Sequence, residues 1–257
     1  MPGKNGIRDG LIGPARSALQ RGAKLVELAL FPSFCKICGT LLDAPGEHIL
    51  CRVCLRKIVP ETDPACICCG RFFDGAGGPH ACSACLDRKP PFDRHLSCAR
   101  YRGELKDALL LFKYRRFRSL GKVLGRFVVE SLAEEAVLWE GAEIVVPVPL
   151  HRQRRRERGF DQARVLAREI GRLRRLPVAA GVLRKVRNIA PQTSLERDAR
   201  RANVRGAYEA ARPDRIRGRV VLLVDDVYTT GSTIRECAFV LKRAGAKEVR
   251  AVTVAQA

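Results

Sequence analysis

Long apolar runs are absent from this 257-residue chain, and no stretch approaches the roughly 18 residues that a membrane-spanning helix requires. The N-terminal run from Leu25 to Phe31 contains Glu27 and lacks a small-residue cleavage site, which argues against a secretory signal. We therefore expect a cytoplasmic protein without a membrane span. The chain has eleven cysteines, and because disulfides are rare in such proteins, metal ligation is favoured over disulfide formation.

Acidic charge and aromatic rings are also scarce. The net charge is +21, and residues 151–219 carry 21 Lys and Arg against 7 Asp and Glu. This excess favours anionic ligands such as phosphorylated sugars or nucleic acid, although a well-solvated, Arg-rich surface explains it equally well. Phe160 and Tyr208 are the only aromatic residues in that segment, and stacking rings are what single-strand binders usually add. A Gly-x4-Gly-Lys-Ser/Thr motif is absent, so a P-loop ATPase lacks its central part.

Eight cysteines form a duplicated pattern in which each Cys-x2-Cys pair is followed, after twelve residues, by a second pair. The second copy lies 31 positions after the first, and the two sets are Cys35, Cys38, Cys51, Cys54 and Cys66, Cys69, Cys82, Cys85. Four thiolates at this spacing are typical of structural zinc and leave no coordination position for catalysis. One degenerate site and an iron–sulfur cluster are the alternatives, and ligands could pair within or between the copies. We expect Cys68, Cys98 and Cys237 not to be ligands.

The remainder of the chain alternates strand and helix patterns. The predicted strands are 96–101, 143–148, 181–186, 220–224 and 249–254, and the predicted helices are 104–112, 120–132, 162–175 and 232–244. This order predicts an α/β fold with a largely parallel sheet flanked by helices, preceded by a cysteine-rich zinc-ribbon module. The predicted domains are an N-terminal helical segment (1–30), a double zinc ribbon (31–92) and the α/β domain (93–257). We expect residues 152–158 to form a basic turn.

A candidate anion site follows the most apolar strand. Asp225 and Asp226 are expected to end that strand as exposed acids that suit the vicinal hydroxyls of a sugar. The next residues, Thr229, Thr230, Gly231, Ser232 and Thr233, open a helix. Hydroxyls and free N–H groups at a helix start bind phosphate, although an ordinary helix cap would need only one such hydroxyl.

This strand–loop–helix segment resembles the motif of type I phosphoribosyltransferases that binds 5-phosphoribosyl-1-pyrophosphate (PRPP). Residues 31–255 resemble the competence protein F (ComF)/GntX family, which combines a double zinc ribbon with such a domain. The supporting motifs are the cysteine repeat, Phe112-Lys113-Tyr114, Val146 to His151, Arg158-Gly159-Phe160-x-Gln162, and Pro191-Gln192 through Arg197 and Asn203. Asp161 and Ile189 depart from the usual Asn and Thr.

The resemblance implies roles for particular residues. Asp225 and Asp226 would hold the ribose hydroxyls of PRPP, and residues 229–233 would hold its 5′-phosphate. The pyrophosphate loop would consist of Val146, Pro147, Val148 and Pro149. The basic residues beside it and in a flap would be Arg152, Arg154, Arg158, Arg184 and Arg197. Zinc would be structural, Mg²⁺ would accompany PRPP, and no catalytic base is evident, since His151 is more typical of a structural or anion contact.

Two functions remain open at this point. The first is phosphoribosyl transfer with pyrophosphate release, linked to DNA uptake during natural transformation. The second is a non-catalytic factor that handles single-stranded DNA and binds PRPP as a regulatory ligand, with proteins of the competence machinery as further partners. The sequence does not identify an acceptor.

Overall fold

The computed structural model describes residues 32–42, 49–75, 77–187 and 204–257. The chain divides into two compact units, residues 1–57 and 58–257, so the division falls inside the predicted double zinc ribbon. The helical segment predicted for residues 1–30 lies outside the described residues, and the predicted domain boundaries stay a prediction. In the part that the structure describes, no helix combines the length and the apolar character that a membrane crossing needs.

The described part of the first unit, residues 32–42 and 49–57, forms a cysteine knuckle. An antiparallel bridge between Phe34 and Leu41 closes its first turn, in which the amide of Gly39 donates to the carbonyl of Cys35 at 2.9 Å. Gly39 has φ 74°, a left-handed conformation that glycine adopts without a Cβ penalty. A short helix, α1 (Arg52–Arg56), follows the second cysteine pair and carries Cys54 on its buried side.

The second unit begins with the second cysteine knuckle, which contains Cys66, Cys69, Cys82 and Cys85, and continues as an α/β domain. Its helices are α2 (Ser83–Asp87), α3 (Gly103–Tyr114), α4 (Leu120–Ser131), α5 (Ala136–Trp139), α6 (Arg152–Arg158), α7 (Gln162–Arg174) and α8 (Ser232–Arg243). Its strands are β1 (Arg94–Arg100), β2 (Ile144–Pro147), β3 (Leu183–Lys185), β4 (Tyr208–Ala210), β5 (Val220–Tyr228) and β6 (Glu248–Gln256).

Four parallel strands form the sheet, in the order β1-β6-β5-β2. The central strand, β5, has a wholly buried start, as expected for a parallel strand covered on both faces. Pro147 of β2 pairs with Val224, so the loop after β2 leaves the sheet beside Asp225. This loop and the end of β5 therefore meet at the carboxyl edge, where open α/β sheets bind ligands.

Helices cover both faces of the sheet. On one face α4 and α7 pack closely at Gly125, where an added Cβ would stand only 2.8 Å from the side chain of Glu169. On the other face α8 packs together with β4 and the second cysteine knuckle, whose four clustered cysteines belong to the same buried core as Leu223. The predicted fold, a parallel sheet flanked by helices after a cysteine-rich module, is confirmed.

Two local predictions were wrong. The central strand does not end at Val224 but continues through Tyr228, because β6 pairs with it as far as Gln256. Residues 152–158 form helix α6 rather than a turn, because His151 caps the helix start and Gly159 ends it with φ 79°. The strand predicted within 181–186 exists, but it pairs antiparallel with β4 in a separate two-stranded sheet.

Candidate functional site

The eight predicted metal ligands form two separate tetrads, each built from one copy of the repeat. In each tetrad the four sulfur atoms lie within 4.8 Å of one another. Sulfur pairs stand 3.6 Å apart for Cys38 and Cys51 and 3.7 Å apart for Cys69 and Cys82. A tetrahedron with Zn–S bonds of about 2.3 Å has sulfur–sulfur edges of about 3.8 Å, so both tetrads fit zinc. The ligands therefore pair within each copy, and Cys68, Cys98 and Cys237 belong to neither cluster.

Backbone amides prepare one cysteine of the second tetrad, Cys66, to bind a cation. Burial alone would raise the pKa of Cys66, but the amides of Cys69, Cys82 and Cys68 donate to its sulfur and lower the pKa to about 6. The donor–sulfur distances are 3.3–3.5 Å. A thiolate stabilised in this way is the form that binds zinc. Four sulfur ligands close the coordination shell, so the metal would serve a structural purpose.

The candidate phosphate loop lies between β5 and α8. Gly231 has φ 74°, and a Cβ at this position would collide with the ring of Tyr228, 2.9 Å from Cε2. The hydroxyls of Thr230 and Ser232 lie 2.8 Å apart, and the amide of Ser232 faces the Thr230 hydroxyl at 3.4 Å. Glycine is therefore required here, and the hydroxyls converge at the start of a twelve-residue helix.

The two aspartates are less exposed than predicted. Asp226 is 8% exposed and Asp225 is half-buried, because both lie within β5 and not beyond it. Adjacent side chains of a strand alternate in direction, so the two carboxylates leave β5 at different angles. Burial, followed by the neighbouring charge of Asp226, raises the pKa of Asp225 to about 8.

A lysine from α3 pairs with Asp226. The ammonium of Lys113 lies 2.8 Å from a carboxylate oxygen of Asp226, and the two side chains are 15% and 12% exposed. Burial would lower the pKa of Lys113, but the charge and the hydrogen bond of Asp226, together with the charge of Asp225, outweigh burial and raise that pKa. The charge of Asp225 also acts on Lys185 of β3, Tyr208 of β4 and Cys237 of α8.

Pro147 and Pro149 of the predicted pyrophosphate loop line a cavity of about 290 Å³, whereas Val146 and Val148 are buried in the core. The lining residues are Pro147, Pro149, Leu150, Arg152, Arg155, Asp161, Arg164, Ala180, Gly181, Leu183, Arg184, Lys185 and Arg212. Asp161 ties this loop to α7, because its two oxygens accept from the amides of Leu150 and Arg164 at 3.2 and 3.1 Å. Six cations and one carboxylate make the cavity suited to an anion.

The predicted basic residues do not share one place. Arg152 and Arg184 line the cavity, whereas Arg154 pairs with Glu157 at 3.6 Å. Arg158 stacks over the ring of Tyr114 at 5.3 Å and donates to Gln162. Arg197 and Ile189 lie outside the described residues. His151 accepts from the amide of Gln153 at 3.4 Å and caps α6, which favours the structural interpretation of this residue.

Comparison with known proteins agrees with this architecture. Residues 27–101 match a double zinc ribbon domain, and residues 157–257 match a phosphoribosyl transferase domain. The DNA utilization protein YhgH of Escherichia coli (strain K12) is 30% identical over 222 residues, which cover 85% of this chain and 95% of the relative. Competence protein F of Haemophilus influenzae is 28% identical, over 82% of this chain and 92% of the relative. The chain belongs to the ComF family.

Within the ComF family the similarity extends further, since competence protein ComFC of Bacillus subtilis is 25% identical over 78% of this chain and 80% of the relative. Lys113 lies in the Phe112-Lys113-Tyr114 motif of the ComF resemblance, but the motif by itself gives this lysine no role. The sequence gives no role to Lys185 and Tyr208 either. No local signal shows that these three residues approach the aspartates, because the approach depends on the tertiary fold.

Proposed function

We propose that this ComF-family protein binds PRPP at the carboxyl edge of its sheet and transfers the phosphoribosyl group with release of pyrophosphate, in a process linked to DNA uptake. One observation carries the proposal: two carboxylates that suit a diol, Asp225 and Asp226, stand at the end of the central strand directly before a hydroxyl-rich helix start. Few ligands other than a sugar phosphate would use both halves of this arrangement.

Each part of the site would hold one part of PRPP. The carboxylates of Asp225 and Asp226 would accept hydrogen bonds from the ribose hydroxyls, and residues 229–233 would bind the 5′-phosphate with hydroxyl and amide donors. The pyrophosphate would lie against the Pro147–Pro149 loop, where Arg152, Arg184 and the other cavity cations offset its charge. Mg²⁺ would bind through the phosphate oxygens of PRPP and share that charge.

In the proposed reaction a nucleophile forms a bond to C1 of the ribose while the bond from C1 to the pyrophosphate oxygen breaks, and the electron pair leaves with pyrophosphate. The protein contributes by orienting the ribose and by stabilising the negative charge on the leaving group. Preorganised donors of this kind typically contribute about 3 kcal/mol each to lowering the barrier. The acceptor loses its proton to solvent or to the departing phosphate oxygen.

Replacement of both aspartates tests the binding site. Asp225→Ala combined with Asp226→Ala should reduce PRPP affinity at least a hundredfold by calorimetry, since each hydrogen bond to a charged group contributes roughly 1.5–3 kcal/mol. The matched control is Asp214→Ala with Glu134→Ala, which removes two exposed acids and should leave binding unchanged. Normal PRPP binding by the aspartate variant would show that the site is elsewhere. Pyrophosphate release with nucleobases, amines and single-stranded DNA as acceptors then tests turnover.

A second candidate function is the handling of single-stranded DNA, with PRPP as a regulatory ligand and competence proteins as partners. It is favoured by α6, which contains five arginines and no buried residue. Replacing Arg154, Arg155 and Arg156 by Gln should weaken DNA binding and reduce the slope of log affinity against log salt by about 2. The aspartate variant should bind DNA as well as before. Saturable PRPP binding without pyrophosphate release from any acceptor would favour this candidate over transfer.

A further inference from the structure

The two aspartates of the site are held differently. Asp226 forms a buried ion pair with Lys113 at 2.8 Å, whereas Asp225 forms no ion pair with any residue in the described ranges. The Asp225 carboxylate instead accepts from the amide of Asp226 at 2.9 Å. The two side chains leave β5 in different directions, but the charges of Asp226 and Lys113 both act on Asp225.

Lys113 reaches Asp226 because of the course of α3. This helix begins just after β1, at the edge of the sheet, and its last turn brings Lys113 to the end of β5. Phe112, the residue before Lys113, is fully buried and packs against Phe160 with a ring separation of 5.2 Å. The anchored helix end leaves the ammonium little freedom, so the ion pair fixes the direction of the Asp226 carboxylate.

The pair also contributes to charge balance at the edge of the sheet. Two adjacent carboxylates in a partly dry site repel each other, and one of them would normally take up a proton. With Lys113 in place, Asp226 keeps its negative charge, because the ammonium offsets the repulsion between the two carboxylates. A buried ion pair adds little to stability relative to apolar residues, so its presence beside a ligand site suggests a role in binding.

We propose that Lys113 is a positioning residue that fixes Asp226 as the permanent acceptor for one ribose hydroxyl. This inference rests on the proposed PRPP site. In this role Lys113 acts on the ligand through the Asp226 carboxylate. Asp225 in turn has Asp161, Lys113, Lys185, Tyr208 and Cys237 as its charged or titratable surroundings.

A comparison of two sugar phosphates isolates this role. The wild type should bind ribose 5-phosphate more tightly than 2-deoxyribose 5-phosphate, because only the former offers both hydroxyls. Lys113→Met should lose this preference. Its affinity for ribose 5-phosphate should fall about ten- to a hundredfold, the range typical of removing a group that orients a metal-binding side chain. Binding of 2-deoxyribose 5-phosphate, which depends mainly on residues 229–233, should change little.

The pH dependence provides a readout that a structural role would not change. The pKa of Asp225 near 8 means that this carboxyl is largely protonated at neutral pH, so wild-type affinity should rise as the pH increases through 8. The Lys113 ammonium lowers the pKa of Asp225, so without it Asp225 should bind its proton more tightly and the midpoint of this rise should move to higher pH. Lys113→Arg keeps the positive charge and should restore most of the preference.

Lys106→Met is the matched control, because it removes the same charge from an exposed position of the same helix. If Lys113→Met retains both the ribose preference and the wild-type pH midpoint, the positioning role is wrong. An equal loss of both sugar phosphates, together with lower thermal stability, would also overturn it, since that pattern shows a structural tie. If Lys113→Met does not fold, Lys113→Arg and Lys113→Gln decide the question by the same ratio of affinities, that for ribose 5-phosphate over that for 2-deoxyribose 5-phosphate. A wild type that binds neither sugar phosphate would refute the proposed PRPP site itself.

Discussion

The two cysteine knuckles share one spacing but differ in their surroundings. In the first knuckle Cys38 is exposed and Cys51 is half-exposed, whereas all four cysteines of the second are buried. Leu41 and Phe72 occupy equivalent positions 31 residues apart, yet they are 50% and 9% exposed. A duplicated metal site has thus produced one copy with an open surface and one copy that belongs to the core of the α/β domain.

Specific contacts integrate the second knuckle into that core. The side chain of Gln256, at the end of β6, accepts from the amide of Phe72 at 2.9 Å and donates to the carbonyl of Gly70 at 3.0 Å. The imidazole of His95 contacts the carbonyl of Cys69 at 2.7 Å and stacks on the ring of Tyr228 at 4.1 Å. Because the ring of Tyr228 also packs against Gly231, the second knuckle supports the candidate phosphate loop through His95 and Tyr228.

The loss of one metal ligand should have the most different effects on stability in the two knuckles. Cys85→Ser should destabilise the second unit by on the order of 4 kcal/mol, since loss of a metal site belongs to the large-effect class, and should also impair PRPP binding. Cys54→Ser, the equivalent change in the first knuckle, should remove zinc while leaving the main thermal transition nearly unchanged. Metal analysis, calorimetric melting and PRPP titration of both variants check this. Equal losses of stability would show that the first knuckle is also part of the domain core.

The equivalent glycines Gly39 and Gly70 should show a smaller difference in stability, and the second knuckle should again be the more sensitive one. Gly39 and Gly70 both have positive φ, so alanine at either position costs about 1–2 kcal/mol in backbone strain. A Cβ at Gly70 would also stand 3.1 Å from the carbonyl carbon of His95 and closer still to its oxygen, whereas nothing lies within 4 Å of a Cβ at Gly39. Denaturant unfolding should therefore find Gly70→Ala about 2 kcal/mol less stable than Gly39→Ala. A difference below about 0.5 kcal/mol would refute the close contact.

The contrast between the knuckles also explains which features the sequence could reveal. The repeat of 31 residues identifies the ligands of both tetrads, because metal coordination depends on local spacing. The Asp225–Thr233 segment is also local, and its residues alone predict a strand–helix junction. Burial of Asp226 and its pairing with Lys113 depend on residues more than a hundred positions apart, which no local pattern encodes. The different environments of the two knuckles are tertiary in the same sense, since His95 and Gln256 carry no motif.

The smallest effect is expected at the open surface of the first knuckle. Leu41→Ser changes a half-exposed side chain and should alter the free energy of unfolding by less than about 0.5 kcal/mol, as is usual for surface positions. Phe72→Ser at the equivalent position removes a buried ring that also has the guanidinium of Arg100 5.6 Å from its centre, and it should cost about 3 kcal/mol. Chemical denaturation of the two variants measures both values. If Leu41→Ser were as costly as Phe72→Ser, the leucine would have to be covered in solution, and the contrast between an open and an integrated knuckle would fail.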